Sequence, residues 1–198
     1  MRVTILDYGA GNLHSLEKAL TLAGGSVSIE TDVARCLDAE AVVLPGVGAF
    51  GHAAARLAAG RDALRSAIHA GFPAIGICLG MHLLFEGSDE GAGEGLGVLA
   101  GRVERLSAKR VPQIGWNTID DATDPAVARS SLSSAYYANS FAARPLDSLS
   151  VVAWSTHESD RFPAIVRVHR TIGVQFHPEK SSRAGIRFLA AALEECAG

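Results

Sequence analysis

One cysteine of this chain lies between two glycines in the segment Phe72 to Glu86, FPAIGICLGMHLLFE. The apolar run before Cys78 is typical of a buried strand, and the residues after it have helical spacing, so Cys78 is predicted at a strand-to-helix turn. Gly76 and Gly80 would leave room for a sharp turn that exposes a nucleophile. The free N–H groups of the helix would favour a thiolate and could bind an oxyanion. The alternative is that Cys78 simply packs as a small apolar residue.

A candidate base follows a second apolar run, Thr171 to Phe176, near the other end of the chain. His177 comes directly after this predicted strand, Pro178 ends it, and Glu179 is two residues beyond the histidine. In an extended segment, side chains two apart project to the same side, so the Glu179 carboxylate is expected beside the imidazole, where it would orient the ring. With Cys78, these residues form a nucleophile, base and orienting acid.

Backbone amides for an oxyanion hole could come from the glycine-rich segment 45–48, PGVG, together with the amide of Leu79. The alternative is that PGVG is an ordinary tight turn. His82 lies one helical turn after Cys78, so it either contacts the same site or is merely buried on that face. The other histidines suggest no metal ligation, and DYGAGN at 7–12 matches neither a dinucleotide nor a phosphate loop. No metal and no cofactor are therefore predicted.

The chain of 198 residues, with 48% hydrophobic and 20% charged side chains, suits one α/β domain over residues 1–198. Its first half alternates strand-like runs with helical stretches, which predicts a mainly parallel sheet flanked by helices. Single helices are predicted over 12–23, 51–70 and 79–86. The second half has short alternating runs, which predict a small antiparallel extension before a last strand and a closing helix over 182–196. The DYGAGN segment, the PGVG segment and the Cys78 turn each follow a predicted strand. They would lie at the carboxyl ends of the strands, where ligand sites of such sheets lie.

Charge and the N-terminal residues argue against several classes of function. A net charge of -3 without a Lys/Arg block argues against a nucleic-acid surface. The N-terminal residues, a strand followed by a glycine turn, suggest neither a signal peptide nor a membrane span, so a cytoplasmic protein without a membrane partner is expected. Cys36, Cys78 and Cys196 are too far apart to suggest a metal knuckle or a disulfide framework.

Taken together, these residues resemble the glutaminase subunits of imidazole glycerol phosphate synthase, which are triad (class I) glutamine amidotransferases of histidine biosynthesis. The resemblance covers nearly the whole chain and is carried by DYGAGNLHS at 7–15, PGVGAF at 45–50, GICLGM at 76–81, VPQIGWN at 111–117 and QFHPEKS at 175–181. The GICLGM and HPE segments occur across the triad amidotransferases, whereas the other segments together point to this subunit. The resemblance implies a flavodoxin-like fold.

The resemblance also implies roles for individual residues. Cys78 would attack the side-chain amide of glutamine and form a γ-glutamyl thioester, His177 would transfer protons, and Glu179 would orient it. The oxyanion hole would use the amides of Val47 and Leu79. The implied glutamine-binding residues are Gly48, His82, Glu90, Asn139, Ser140 and Phe141. Ammonia would pass into a separate (β/α)8 cyclase subunit in a heterodimer, and the implied contact residues are Asn12, Trp116, Asn117 and Lys180.

Two residues depart from the pattern of this family. Glutamine is usual where this chain has His82, and histidine is frequent where it has Asn139. Imidazole and amide groups can both donate a hydrogen bond, so glutamine binding is expected to persist with altered strength and pH response. The triad positions are intact.

Three competing hypotheses remain open on sequence grounds. The chain could be the glutaminase of another amidotransferase, such as that of anthranilate or aminodeoxychorismate synthesis, although GWN and PGVGAF argue against this. It could be a catalytically silent module in which Cys78 packs and the protein only supports a partner. It could also be an unrelated cysteine hydrolase that cleaves esters or peptides.

Overall fold

The computed structural model describes residues 1–9, 11 and 13–197. The predicted interface residue Asn12 lies outside them. The strands are β1 (Arg2–Leu6), β2 (Ser26–Glu30), β3 (Ala41–Leu44), β4 (Ala74–Ile77), β5 (Gly87–Ser88), β6 (Gly101–Arg105), β7 (Gln113–Thr118), β8 (Ser134–Asn139), β9 (Phe141–Pro145), β10 (Val151–His157), β11 (Asp160–Val168) and β12 (Thr171–Val174). The helices are α1 (Leu13–Leu22), α2 (Val33–Cys36), α3 (Phe50–Leu57), α4 (Arg61–His69), α5 (Leu79–His82), α6 (Pro125–Ser130) and α7 (Ser182–Ala197).

The largest sheet among the described residues has the strand order β10-β11-β12-β4-β3-β1-β2. Strands β12, β4, β3, β1 and β2 pair in parallel, whereas β10 and β11 extend the sheet antiparallel. Smaller sheets, β5-β6-β9 and β7-β8, lie beside it. The predicted α/β class with a mainly parallel sheet and an antiparallel extension is therefore confirmed.

Helices cover both faces of this sheet because its central strands are apolar on both sides. Along β3, Ala41 and Val43 pack in one core cluster with residues of α1 and α7, while Val42 and Leu44 pack in a second cluster with residues of α3 and α4. All four side chains are fully buried. Among the described residues, no helix combines the length and apolar character needed to cross a bilayer.

The single helix predicted over 51–70 is wrong, because the structure divides this segment into α3 and α4. The break falls at Gly60, which has φ -106° and ψ 0° and precedes the first residue of α4. A Cβ atom at Gly60 would lie 2.4 Å from Cγ2 of Val33. The backbone thus approaches α2 too closely for any side chain at this position, and helical periodicity alone could not reveal that contact.

The helix predicted over 79–86 is also shorter than expected, since α5 ends at His82. The following segment turns, and its carbonyl groups accept hydrogen bonds from a returning loop. Leu96 N–H donates to the Leu83 carbonyl at 2.6 Å, and Gly97 N–H donates to that of Phe85 at 3.1 Å. The backbone groups that a longer helix would pair internally are therefore satisfied from outside it.

Gly80 packs closely against the sheet. A Cβ atom there would lie 2.0 Å from the carbonyl oxygen of Leu44 in β3, and one at Gly76 would lie 2.7 Å from that of Gly80. These glycines let the turn at residue 78 pass directly over the ends of β3 and β4.

We expect Gly80→Ala to lower the free energy of unfolding by about 1–3 kcal/mol or more, because the added methyl must displace backbone. Urea denaturation measures this loss. Gly11→Ala is the matched control, since no described atom lies within 4 Å of a Cβ atom at Gly11. Equal effects of the two substitutions would contradict the close packing of α5.

Candidate active site

Cys78 lies at the turn between β4 and α5 in a backbone conformation that is rare for a residue with a side chain. Its φ is 45° and its ψ is -102°. The turn is fixed at its start by a hydrogen bond of 2.7 Å from the Cys78 N–H to the carbonyl of Val174 in β12. Strained conformations of this kind occur where the surrounding structure holds a functional residue in place. The sharp turn predicted from Gly76 and Gly80, which we call the elbow, is present.

His177 and Glu179 form the expected pair. His177 Nδ1 lies 2.8 Å from Glu179 Oε1, and both side chains are buried. The sequence analysis expected an extended segment here, whereas Pro178–Lys180 forms a 3-10 turn. The carboxylate reaches the ring across the start of this turn.

Ser181 holds the backbone of the base in place. Its hydroxyl donates to the His177 carbonyl at 2.7 Å and accepts the Tyr136 N–H at 3.0 Å. The His177 N–H in turn donates to the Tyr136 carbonyl at 2.8 Å. The segment that follows β12 is therefore hydrogen-bonded to β8, which fixes the direction in which the imidazole side chain projects.

The electrostatic environment favours the protonated imidazole. Burial lowers the pKa of His177, but hydrogen bonds and charge interactions with Cys78 and Glu179 outweigh it and raise the pKa from 6.5 to about 10. His177 therefore remains an imidazolium near neutral pH.

These groups open onto a cavity of about 310 Å³, within the size range of small-molecule sites. Its lining includes Cys78, His177 and every residue predicted for the oxyanion hole and for substrate binding. The lining residues are Gly46, Val47, Gly48, Cys78, Leu79, His82, Glu90, Ala138, Asn139, Ser140, Phe141, His177 and Lys180. Lys180, predicted for the partner interface, thus lies at this cavity, whereas Glu179 lies behind the imidazole.

The PGVG loop packs against the base. A Cβ atom at Gly46 would lie 3.0 Å from Cε1 of His177, and Gly48 has φ 122°, a conformation that favours glycine. Leu79 is the first residue of α5, so its N–H has no partner within the helix and can donate into the cavity. Because α5 has only one turn, this individual N–H matters more than the helix dipole proposed from the sequence.

Two buried residues near Cys78 received no role from the sequence. The Tyr8 hydroxyl donates to the carbonyl of Pro45 and so ties the segment after β1 to the PGVG loop. Burial and the nearby charge of Cys78 raise its pKa well above the ordinary value. Gln175 donates from Nε2 to Cys78 Sγ at 3.5 Å. Its position two residues before His177 was the available signal, since strand residues two apart share a face.

His82 is buried in the cavity lining and contacts Gln175. His82 Nε2 is 2.9 Å from Gln175 Oε1, and burial lowers the pKa of His82 to about 4. The imidazole is therefore neutral near pH 7. Among the described groups, His82 Nδ1 is buried without a hydrogen-bond partner.

The remaining substrate-binding candidates form one side of the cavity. Asn139 ends β8, and its Nδ2 donates to the Phe141 carbonyl at 3.0 Å, while its buried Oδ1 has no partner among the described groups. Glu90 is half-buried, and burial raises the pKa of its carboxyl group. These groups offer a carboxylate and an amide oxygen to a ligand with N–H donors.

The predicted interface residues of β7 lie apart from the cavity lining. Trp116 is 56% exposed, and Ile114, which the sequence analysis did not identify, is 68% exposed. Asn117 is anchored, since its Nδ2 donates to the Thr156 carbonyl at 2.9 Å. Lys180 Nζ lies 5.9 Å from the centre of the Tyr136 ring.

The pKa of His177 predicts a pH dependence of stability. Because folding raises this pKa from 6.5 to about 10, the contribution is complete below about pH 6.5, declines above it and is lost as the pH rises through about 10. Urea denaturation of the wild type and of His177→Asn from pH 6 to 10.5 measures it. We expect the difference in unfolding free energy to shrink with rising pH, and a constant difference would contradict the pairing.

We expect Glu179→Gln to lower the turnover of the glutamine hydrolysis that the resemblance implies by roughly a hundredfold, because the amide cannot stabilise the imidazolium as a carboxylate does. The Michaelis constant for glutamine should change little, since Glu179 does not line the cavity. Steady-state ammonia release measures both constants. Glu194→Gln, at a side chain that is 69% exposed, is the control. Unchanged turnover in Glu179→Gln would exclude an orienting role.

Comparison with known proteins places the chain among sequences of one family. Residues 4–195 match the family described as Glutamine amidotransferase class-I. The imidazole glycerol phosphate synthase subunit HisH of Symbiobacterium thermophilum is 42% identical over 96% of this chain and 92% of its own length. The HisH subunit of Halobacterium salinarum is 40% identical over 98% and 94%.

Solved structures show the same fold at lower sequence identity. A crystal structure described as a glutamine amidotransferase has a TM-score of 0.76 and 20% identity, covering 99% of each chain. The structure of PurLQS from Thermotoga maritima has a TM-score of 0.73 and 20% identity, covering 99% of this chain and 97% of the other.

Proposed function

The chain belongs to the class-I glutamine amidotransferase family and, within it, to the HisH subunits of imidazole glycerol phosphate synthase, and we propose that Cys78, His177 and Glu179 are its catalytic triad. As such a subunit it hydrolyses glutamine to glutamate and ammonia and supplies the ammonia for histidine biosynthesis. The observation that carries the triad is the place of His177, whose Nδ1 lies 2.8 Å from Glu179 Oε1 and whose ring lines the same cavity as Cys78.

In the proposed mechanism, the Cys78 thiolate attacks the side-chain carbonyl carbon of glutamine, and the carbonyl oxygen becomes an oxyanion. The His177 imidazolium then gives its proton to the amide nitrogen and the C–N bond breaks. Ammonia departs, and the γ-glutamyl group remains bound to Cys78 as a thioester. Neutral His177 next takes a proton from water as the water attacks the thioester. Cleavage of the C–S bond releases glutamate and restores the thiolate and the imidazolium.

The oxyanion is proposed to accept hydrogen bonds from the amides of Leu79 and Val47. The Leu79 amide is supported by its place as the first residue of α5, and Val47 by its place in the cavity lining. Glutamine itself is proposed to be held by Gly48, Glu90 and the segment from Asn139 to Phe141. The half-buried Glu90 carboxylate suits the ammonium group of an amino acid.

We further propose that residues 1–198 act as one domain that forms a heterodimer with a (β/α)8 cyclase subunit. The exposed Trp116, together with Asn117 on β7 and Lys180 at the cavity, supports a contact surface on this side. Asn12 remains a prediction from the sequence, as does a cytoplasmic location. The cyclase contact would seal the cavity and deliver ammonia to the partner instead of to solvent.

Ammonia release from glutamine by the wild type and by Cys78→Ser, each with and without a cyclase subunit of imidazole glycerol phosphate synthase and its ligand, tests this function. The wild type should release little ammonia alone and much more with the loaded partner, because the Val47 amide must be turned toward the oxyanion. Cys78→Ser should be inactive in both cases, since a serine hydroxyl keeps its proton.

Cys36→Ser is the matched control, because Cys36 is equally buried but lies in α2, outside the cavity lining. It should retain stimulated activity. Full activity of Cys78→Ser would overturn the proposed nucleophile, and high activity of the isolated wild type would overturn the dependence on the partner.

The competing hypotheses make different predictions for the same proteins. A silent module would give no ammonia and no glutamine-protected alkylation of Cys78. An unrelated hydrolase would cleave esters or peptides without glutamine. The glutaminase of another synthase would respond to that synthase and not to the cyclase.

A further inference from the structure

Gln175 forms a bridge between His82 and the Cys78 sulfur, and all three side chains are buried. The amide oxygen lies 2.9 Å from His82 Nε2, and the amide nitrogen lies 3.5 Å from Cys78 Sγ. The bridge follows from strand register. Val174, the last residue of β12, pairs with Ile77, the last residue of β4, so Gln175 and Cys78 leave the sheet at the same end.

The oxygen of the Gln175 amide, which only accepts hydrogen bonds, faces His82 Nε2, so Nε2 carries a proton. Burial keeps His82 neutral, with a pKa lowered to about 4. The ring therefore has a single N–H, and this contact assigns it to Nε2. The NH₂ group of Gln175 is then turned toward the sulfur. A reversed amide would present oxygen to the sulfur and repel a thiolate.

We propose that His82 is a positioning residue that fixes the Gln175 amide so that its N–H stabilises the Cys78 thiolate. This rests on the proposed function, in which Cys78 reacts as a thiolate. The thiolate then has two donors, the His177 imidazolium and the Gln175 amide. A hydrogen bond from a neutral donor to a buried charged acceptor is among the stronger ones in proteins.

The proposal also accounts for the difference from the family pattern at position 82. A glutamine there, like the Nε2-protonated imidazole, carries an N–H donor that can reach an amide oxygen. Leucine at the same position fills space without donating. Both variants lose the imidazole, but His82→Gln keeps a hydrogen-bond donor and His82→Leu does not. Comparing them therefore separates the effect of losing the donor from the effect of losing the imidazole.

Alkylation of Cys78 by iodoacetamide as a function of pH tests the proposal on the full-length protein. Mass spectrometry of the peptide that contains Cys78 distinguishes it from Cys36 and Cys196. His82→Leu and Gln175→Met should lower the rate at pH 7 by about tenfold or more and move the half-maximal rate to higher pH, because one donor to the thiolate is lost. His82→Gln should recover the rate to within about threefold of the wild type.

Ser155→Ala is the control for a general loss of buried polar contacts. The Ser155 hydroxyl is fully buried and hydrogen-bonded to Tyr137 and to the Thr118 carbonyl, away from the cavity lining. This variant should lose stability in thermal unfolding but keep the alkylation profile of the wild type. His82→Leu and Gln175→Met variants that melt like Ser155→Ala and keep the wild-type profile would overturn the proposal.

Should Gln175→Met fail to fold, the two substitutions of His82 still test the proposal, because they leave the Gln175 amide in place. Equal alkylation profiles in His82→Leu and His82→Gln would overturn the donor role. In glutamine hydrolysis with the cyclase present, His82→Gln should change the Michaelis constant more than the turnover, whereas His82→Leu should lower the turnover. Alkylation requires no glutamine, so a failure of the proposed function and a failure of this bridge give different results.

Discussion

The parallel pairing of β12 with β4 is the contact on which the site depends. It brings together residues that are about a hundred positions apart in the sequence, and the bond from the Cys78 N–H to the Val174 carbonyl continues the ladder to the edge of the sheet. Both strands are buried on both faces, so a shift in register by one residue would move their side chains into the opposite core cluster and disrupt the packing of both. Core packing thus determines which side chains lie next to the sulfur.

Close approach of backbone segments is the second constraint. The elbow crosses β3 at Gly80, and the PGVG loop passes the base at Gly46 with little space to spare. A strained conformation at Cys78 persists because its neighbours on both sides are fixed by sheet hydrogen bonds and by this packing. Rigidity of the site therefore comes from the sheet rather than from α5, which has a single turn.

Periodicity and glycine spacing predicted the fold class and the elbow, because both follow from local residue order. The contact between His177 and Glu179 was also predicted, but from an extended segment where the structure has a 3-10 turn. The break at Gly60 and the early end of α5 could not be predicted, since both depend on contacts with distant segments. Gln175 was missed for a different reason. Its place two residues before His177 was readable, but its other partner, His82, becomes visible only when β4 and β12 are paired.

The close approach of Gly46 to the His177 ring restricts which residue can stand in this loop. A Cβ atom at position 46 would lie 3.0 Å from Cε1 of the imidazole and 3.0 Å from the Ile77 carbonyl oxygen. Any side chain there would displace either the loop that carries Val47 or the imidazole ring. A single methyl group at this position would therefore disturb both halves of the reaction centre together.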